Sequence, residues 1–216
     1  MLMNYKNLNP DKALIWRITH RRNMPWILAN GLHAVNSQAR SSDWVTIGNQ
    51  ELIDRRGSRV VPLPPGGMLN DFVPFYFTPF SPMLLNILTG RGGVAQVPST
   101  DIVILVSSLH RLSELGLPFV FTDRHAYTQT ANYYNDLADL RFIDWPLLQQ
   151  RNFKRDPNDP EKVERYQAEA LIYRQAPLQA LLGVVCNTSQ VKSELEEQVA
   201  RSGVQLGVHC RPQWYF

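Results

Sequence analysis

The chain of 216 residues carries 22 basic and 19 acidic side chains, a formal net charge of +3, with 44% hydrophobic content and two cysteines. That composition fits one folded domain and excludes a disordered chain, which could not bury enough apolar surface to offset the entropy of ordering. Of the basic residues 17 are Arg and 5 are Lys; residues 1–60 hold nine basic against four acidic side chains and residues 61–216 hold 13 against 15, so the basicity is local and is arginine.

No run reaches the roughly 18 apolar residues of a membrane span. Asn4, Tyr5, Lys6, Asn7 and Asn9 stand where a secretory signal would need an apolar stretch, so a cytoplasmic location is expected. Cys186 and Cys210 match no metal-ligand spacing and read as reduced core thiols.

Leu14 to Thr19 alternates apolar and polar residues and predicts a first strand. Pro25 near a helix start and Gly31 just past its end frame a helix through Trp26, Ile27 and Leu28. Residues 33–48 are polar and read as a surface loop; a short helix over Gln50 to Arg56 follows and ends in Arg55 and Arg56, with Arg59 just beyond. Three prolines between Pro62 and Pro65, then Gly66 and Gly67, demand a rigid turn. Phe75 to Thr78 predicts a strand, and Ser81-Pro82 an N-cap and first helical position for Met83 to Leu88.

Gly90, Gly92 and Gly93 around Arg91 lack the helix start of a phosphate-binding loop and read as a flexible connection. Asp101 to Ser107 is β-branched and apolar, a central strand, and Phe119 to Phe121 is a shorter one. Residues 125–167 form a long interruption, mostly helical by composition, with Arg151, Lys154 and Arg155 crowded between Asp144 and Asp156. Glu169 to Tyr173 returns to a strand, Ala180 to Cys186 is a further candidate, Gln190 to Arg201 is an acidic amphipathic helix, and Val204 to Val208 a closing strand. Strands and helices neither alternate regularly nor repeat, so the expected class is a single α+β domain.

Neither a Walker-type loop nor a His-Glu-x-x-His helix is present, which removes the P-loop and zinc-protease readings. Glu169 opens a strand of apolar residues, so it is either a desolvated functional carboxylate or a solvated strand-start acid. His125 sits just beyond a strand, as a functional or a structural histidine; Tyr76 belongs to an aromatic strand, as site or core. Arg55, Arg56 and Arg59 form either a solvated face or a grip on phosphate. From the residues alone this is an α+β domain suited to a phosphorylated ligand.

The string Pro64-Pro65-Gly66-Gly67, the segment Asp71 to Phe77 and Ser81-Pro82-Met83-Leu84 resemble the DarT family of DNA ADP-ribosyltransferase toxins. Ile18-Thr19-His20, Arg55-Arg56, Leu117 to His125, Gln167-Ala168-Glu169 and Trp214-Tyr215 extend the resemblance over nearly the whole chain. It implies one ADP-ribosyltransferase domain over residues 1–216, a split, bent β-sandwich with surrounding helices. The implied activity uses NAD as co-substrate, without metal, and transfers ADP-ribose to single-stranded DNA, to thymidine by the nearer likeness. It further implies a toxin of a toxin–antitoxin system, countered by a DarG macrodomain antitoxin, with a role in growth control and phage defence. RNA or protein as acceptor, or an inactive nucleic-acid-binding module, are the rival readings.

By this resemblance Glu169 and Arg56 are catalytic, and Arg17, Thr19, Tyr76 and Arg56 bind NAD, with Arg17 standing where relatives carry a histidine. His125, Arg55, Arg151, Lys154, Arg155, Arg165 and Tyr166 are expected to contact DNA, with 125–167 as a helical substrate-binding insertion. The loop 36–48, with Arg40 and Trp44, is expected to close over NAD or DNA. His20 is expected on the strand face opposite Thr19.

Overall fold

The computed structural model describes residues 5–39 and 41–216; Arg40 and the first four residues of the N-terminal segment lie outside the described residues. In chain order the elements are β1 (Leu14–His20), α1 (Met24–Asn30), β2 (Leu32–His33), α2 (Gln50–Arg56), β3 (Phe72–Tyr76), α3 (Pro82–Thr89), β4 (Ile102–Ser108), α4 (Leu109–Glu114), β5 (Phe119–Thr122) and β6 (Tyr133–Tyr134). They continue with α5 (Trp145–Gln150), α6 (Lys162–Arg165), β7 (Glu169–Tyr173), β8 (Gln175–Ala176), β9 (Gly183–Cys186), α7 (Ser189–Ser202) and β10 (Val208–Cys210). This is the expected α+β class: an eight-stranded sheet in the order β10-β9-β4-β1-β3-β7-β5-β6, antiparallel except for the parallel β9–β10 pair, and a small β2–β8 ribbon.

Pairing strength along that sheet is uneven. β1 and β4 share seven register pairs, Leu14↔Ser108 through His20↔Ile102, and β3 and β7 share five, Phe72↔Tyr173 through Tyr76↔Glu169. Between β1 and β3 there is one, Trp16↔Tyr76. The sheet is therefore two halves joined at a single residue pair. Pro74 explains part of the seam. A residue's N–H and C=O leave a strand on the same side, and the Pro74 carbonyl, facing β1, accepts from Arg17 Nη1 at 2.8 Å. The donor that proline lacks thus falls on the side where β1 parts from β3, and the β3–β7 ladder stays whole.

The core follows the strands. Ile102 to Leu105 of β4 are fully buried because helices and loops cover both faces of this central strand. Asn49 caps α2 by accepting from Leu52 N–H at 3.0 Å, Ser81 caps α3 and Thr188 caps α7. At the end of α1 only glycine fits: Gly31 has φ +75, and a Cβ there would lie 2.6 Å from the Ala176 carbonyl.

The structure departs from expectation in four places. The strand expected over Phe75 to Thr78 lies at Phe72–Tyr76, because residues 77–80 turn into the Ser81 cap. The closing strand lies at Val208–Cys210 rather than Val204 to Val208, since Gly203, left-handed, ends α7 and residues 204–207 carry the chain back. Ala180 to Leu182 leaves the β9 line, and Leu182 is exposed. The segment 125–167 is not mostly helical: it holds only the short helices α5 and α6, a 3-10 stretch Leu137–Phe142 and β6. Pro146, Pro157 and Pro160 with Asp156, Asn158 and Asp159 break any longer run.

At the far end of the first half-sheet the buried Tyr215 hydroxyl lies 3.0 Å from the Ile102 carbonyl and 3.1 Å from that of Val185, tying the C-terminus across β4 and β9. Tyr215→Phe is expected to cost about 1 kcal/mol and to lower the thermal midpoint by about 2–4 °C, read by thermal unfolding, with the catalytic centre untouched.

Candidate active site

The seam between the half-sheets carries the chemistry. Glu169 is the first residue of β7, lies opposite Tyr76 of β3 and is 1% exposed. Its backbone N–H donates to Thr122 Oγ1 at the end of β5. Its Oε1 accepts from the Ala126 N–H at 3.0 Å and from Arg56 Nη1 at 3.1 Å, and its Oε2 lies 2.9 Å from the same nitrogen as an ion pair. His125 Nε2 stands 3.8 Å from Oε1. One carboxylate therefore gathers β7, the end of α2 and the loop after β5.

Arg56, the last residue of α2, is itself buried, and its Nη2 has no hydrogen-bond partner. Arg17 of β1, on the other side of the seam, leaves its buried Nε unpartnered in the same way. Burial pulls the Arg17 guanidinium down to about 10, helped by nearby Arg56 and opposed by Tyr76 and Glu169, so it remains charged at neutral pH. Two guanidinium groups thus face one carboxylate, and the site holds a surplus positive charge.

Burial, reinforced by the Glu169 charge, pushes the Tyr76 phenol well above its usual range, so it stays neutral. Burial also pulls His125 below its usual value, outweighing the pull of Glu169 in the other direction. Its Nδ1 accepts from the Tyr127 N–H at 3.2 Å, which assigns the proton of the neutral ring to Nε2, the nitrogen facing Glu169.

Two connected chambers open here. The inner one, about 140 Å³, is walled by Arg17, Arg56, Tyr76, Met83, His125 and Glu169. The outer one, about 280 Å³, is walled by Thr19, Trp26, His33, Trp44, Gln50 and Asp54. They share Arg17, Ile18, Val35, Ile47 and Ile53, so they form one cleft. The loop that roofs the outer chamber is held by Asn23, whose side chain exchanges hydrogen bonds of 2.8 Å with both backbone groups of Val45 and donates to Thr19 Oγ1 at 3.0 Å. His20 leaves β1 away from Thr19 and accepts from the Arg22 N–H.

Glu169, Arg56, Arg17, Thr19, Tyr76 and His125 therefore line the cleft together. The expected DNA contacts are scattered. Arg55 points outward along α2 and pairs with Glu51 at 2.5 Å. Arg165 is consumed by carboxylates of its own segment: it bonds Asp159 through Nη1 and Nη2 at 3.0 and 2.8 Å and Asp144 through Nε at 3.1 Å. Tyr166 is fully buried, packed on Phe153 at 5.0 Å, and presents no face to a base. Arg151 lies over the rings of Phe80 and Phe216, whereas Lys154 and Arg155 stand exposed.

Two contributions have no side-chain signature in the sequence: the Ala126 amide, a backbone donor, and Met83, a helix residue that reaches the inner chamber. Among the described residues no cluster of three or more His, Cys, Asp or Glu side chains could hold a metal ion, and no helix is long and apolar enough to cross a membrane.

Comparison with known proteins covers nearly the whole chain. Residues 16–216 match the family described as "ssDNA thymidine ADP-ribosyltransferase, DarT". A DNA ADP-ribosyl transferase of Escherichia coli O127:H6 (strain E2348/69 / EPEC) is 54% identical over 210 residues, covering 97% of this chain and 96% of that protein. The DarT of Thermus sp. 2.9 solved with ADP-ribosylated ssDNA superposes with a TM-score of 0.88 at 33% identity, covering 96% of this chain and 98% of that one. The same Thermus protein solved with NAD+ gives 0.83 at 32% identity, over 96% and 100%. With the family model covering nearly the full length and a relative sharing more than half of its residues, the chain belongs to the DarT family of single-stranded-DNA thymidine ADP-ribosyltransferases.

Proposed function

We propose that this chain transfers ADP-ribose from NAD to a thymidine base of single-stranded DNA and releases nicotinamide. The observation that carries the reading is the buried Glu169 carboxylate, held by Arg56 and the Ala126 amide at the wall of an inner chamber with surplus positive charge. The cleft fits NAD on its own chemistry. Arg56 Nη2 and Arg17 Nε are buried donors lacking a partner, as a pyrophosphate or ribose oxygen would require, and Trp26, Trp44 and Tyr76 offer flat walls for flat rings. NAD supplies the ADP-ribosyl group and, in nicotinamide, the leaving group.

Each side chain has a task that its surroundings define. Glu169 Oε2, whose only contact of this kind among the described residues is the ion pair with Arg56 Nη1, is the oxygen left to accept from a sugar hydroxyl. Its fixed negative charge in a nearly dry site stabilises the positive charge more once it has moved from the nicotinamide ring onto the sugar, as neutral nicotinamide leaves, than while it rests on that ring in the ground state. The thymine imide must lose its proton as the new bond to nitrogen forms. His125 is poorly placed to take it, because Nδ1 already accepts a backbone N–H and Nε2 carries the ring proton. Glu169, with Arg56 beside it, is the group to which we assign that step. His125 Nε2–H is a donor at the same end of the cleft. Tyr76, kept neutral, gives a ring face rather than a charge.

On the acceptor side, exposed Lys154 and Arg155 are the basic side chains of the 151–161 loop that we place on the DNA backbone. Family membership supports a DarG antitoxin as the partner that reverses the modification, and the cytoplasm, where NAD and DNA meet, as the compartment.

The test uses isotopically labelled NAD offered separately with single-stranded DNA, duplex DNA, RNA and protein. Label is expected on thymidine of single-stranded DNA; label on RNA or protein alone would overturn the acceptor assignment. Glu169→Ala is expected to keep its fold by circular dichroism and to lose transfer by about 10²–10³-fold or more. Undiminished transfer by that variant would remove Glu169 from the chemistry.

Single-strand affinity should fall with salt. Two to three neutralised phosphates give a log–log slope of about −1.4 to −2, and Lys154→Ala with Arg155→Ala is expected to flatten it by about one unit or more, measured by fluorescence anisotropy.

A further inference from the structure

Arg59 lines neither chamber, yet its side chain is fastened to the loop that completes the Glu169 site. Its Nη2 donates to the Thr128 carbonyl at 3.1 Å and reaches that of Gln129 at 3.5 Å. It follows Arg56 by three residues, and its N–H donates to the Arg56 carbonyl at 3.2 Å, so one turn at the end of α2 sends two guanidinium groups in the same direction. Arg56 holds the acid; Arg59 holds the segment whose amide also holds the acid.

The loop itself is short and internally braced. The Thr128 N–H donates to the His125 carbonyl at 2.9 Å and the Tyr127 N–H to His125 Nδ1. At its far end the Tyr133 hydroxyl donates to the Ala126 carbonyl at 2.6 Å, across the very residue whose N–H meets Glu169 Oε1. Burial pushes the Tyr133 phenol up, and Arg59 beside it acts against that rise, so both tethers meet in one place. A carboxylate bonded from two sides has a defined direction only if both donors are fixed. Arg56 is fixed by α2, but Ala126 sits in a loop with no helix or strand of its own.

We infer that Arg59, with Tyr133, is a positioning residue for catalysis: it locks the 125–129 turn so that the Ala126 amide and His125 Nε2 are held on Glu169. Arg59 lies outside both chambers and touches no substrate. Both carbonyl contacts come from the single nitrogen Nη2, so the ammonium of a lysine can replace part of the tether, from a shorter side chain and without the same geometry. The inference rests on the reading of Glu169 as the catalytic acid group, and misplacement of such a group by about 1 Å is enough to cost on the order of 10²-fold in rate.

The experiment compares wild type, Arg59→Ala, Arg59→Lys and Tyr133→Phe in two measurements: steady-state transfer to single-stranded DNA, and amide hydrogen exchange resolved at Ala126 and across β3 and β4. For Arg59→Ala, kcat is expected to fall about 10- to 100-fold while KM for NAD stays within about twofold, because the NAD-facing side chains are unchanged. Arg59→Lys is expected to recover part of that loss, and Tyr133→Phe, which leaves Arg59 in place, to show a smaller fall in the same direction. In all three the Ala126 amide should exchange faster while the sheet amides keep their protection.

A kcat within about twofold of wild type for both Arg59→Ala and Tyr133→Phe would overturn the inference. So would unchanged protection of Ala126, or exchange that rises equally through the sheet, which would make Arg59 a residue of general stability. If the wild type itself transferred nothing to DNA, the functional reading would fall, and the Ala126 exchange would still decide whether Arg59 holds the loop.

Discussion

A carboxylate and a guanidinium, both withdrawn from water, meet where the two half-sheets come apart, and much of the molecule is arranged around keeping them there. Glu169 and Arg56 are 1% and 7% exposed, and each comes from a separate part of the chain. Removing two charges from water costs several kcal/mol apiece, and mutual attraction offsets that only when geometry is good and the remaining lone pairs are bonded. The Ala126 amide meets that need at Oε1. Nothing among the described residues meets it at Arg56 Nη2. The pair is therefore complete on the protein side and incomplete on the cleft side, which is the arrangement expected of a site awaiting an oxygen-rich, anionic ligand.

The seam makes this possible. β1 and β3 share a single register pair, with Pro74 withholding a donor on the β1 side, so the two strands part where Arg17, Pro74 and Tyr76 line the inner chamber. Arg17 uses that opening twice, bridging to the Pro74 carbonyl with one nitrogen and leaving another for the cleft. With Arg17 beside Arg56, two guanidinium groups face one carboxylate in the inner chamber, a balance that favours an anion.

How far the sequence disclosed this depends on whether the deciding interaction was local. The α2 limits at Gln50 and Arg56 and the β7 limits at Glu169 and Tyr173 were legible, because an N-cap or an apolar run marks each one. The α+β class and the cleft residues carried by the family likeness, Glu169, Arg56, Arg17, Thr19, Tyr76 and His125, came together in space. Charge partners were not legible. Arg55, Arg56 and Arg59 look alike in a row of basic residues, yet one pairs with Glu51 on the surface, one with Glu169 at the site, and one holds a loop some 70 residues away in sequence. Arg165 and Tyr166 read as a DNA-facing pair, but Asp144 and Asp159 occupy the first and the core takes the second. Net charge says nothing about such destinations, and a backbone donor such as the Ala126 amide leaves no trace in composition at all.

The most direct test of the central claim is a double-mutant cycle on the buried pair, read by denaturant unfolding, with Arg56→Met, Glu169→Gln and the two combined. Glutamine keeps an oxygen for the Ala126 amide while removing the charge, and methionine fills the space of the guanidinium stem. Arg56→Met alone strands a buried carboxylate and is predicted to cost about 3–5 kcal/mol, whereas the double variant should cost less than the two single changes added together, by about 2 kcal/mol or more. Losses that simply add in the double variant would contradict the account, since they would show that Glu169 and Arg56 are not held at the seam by one another.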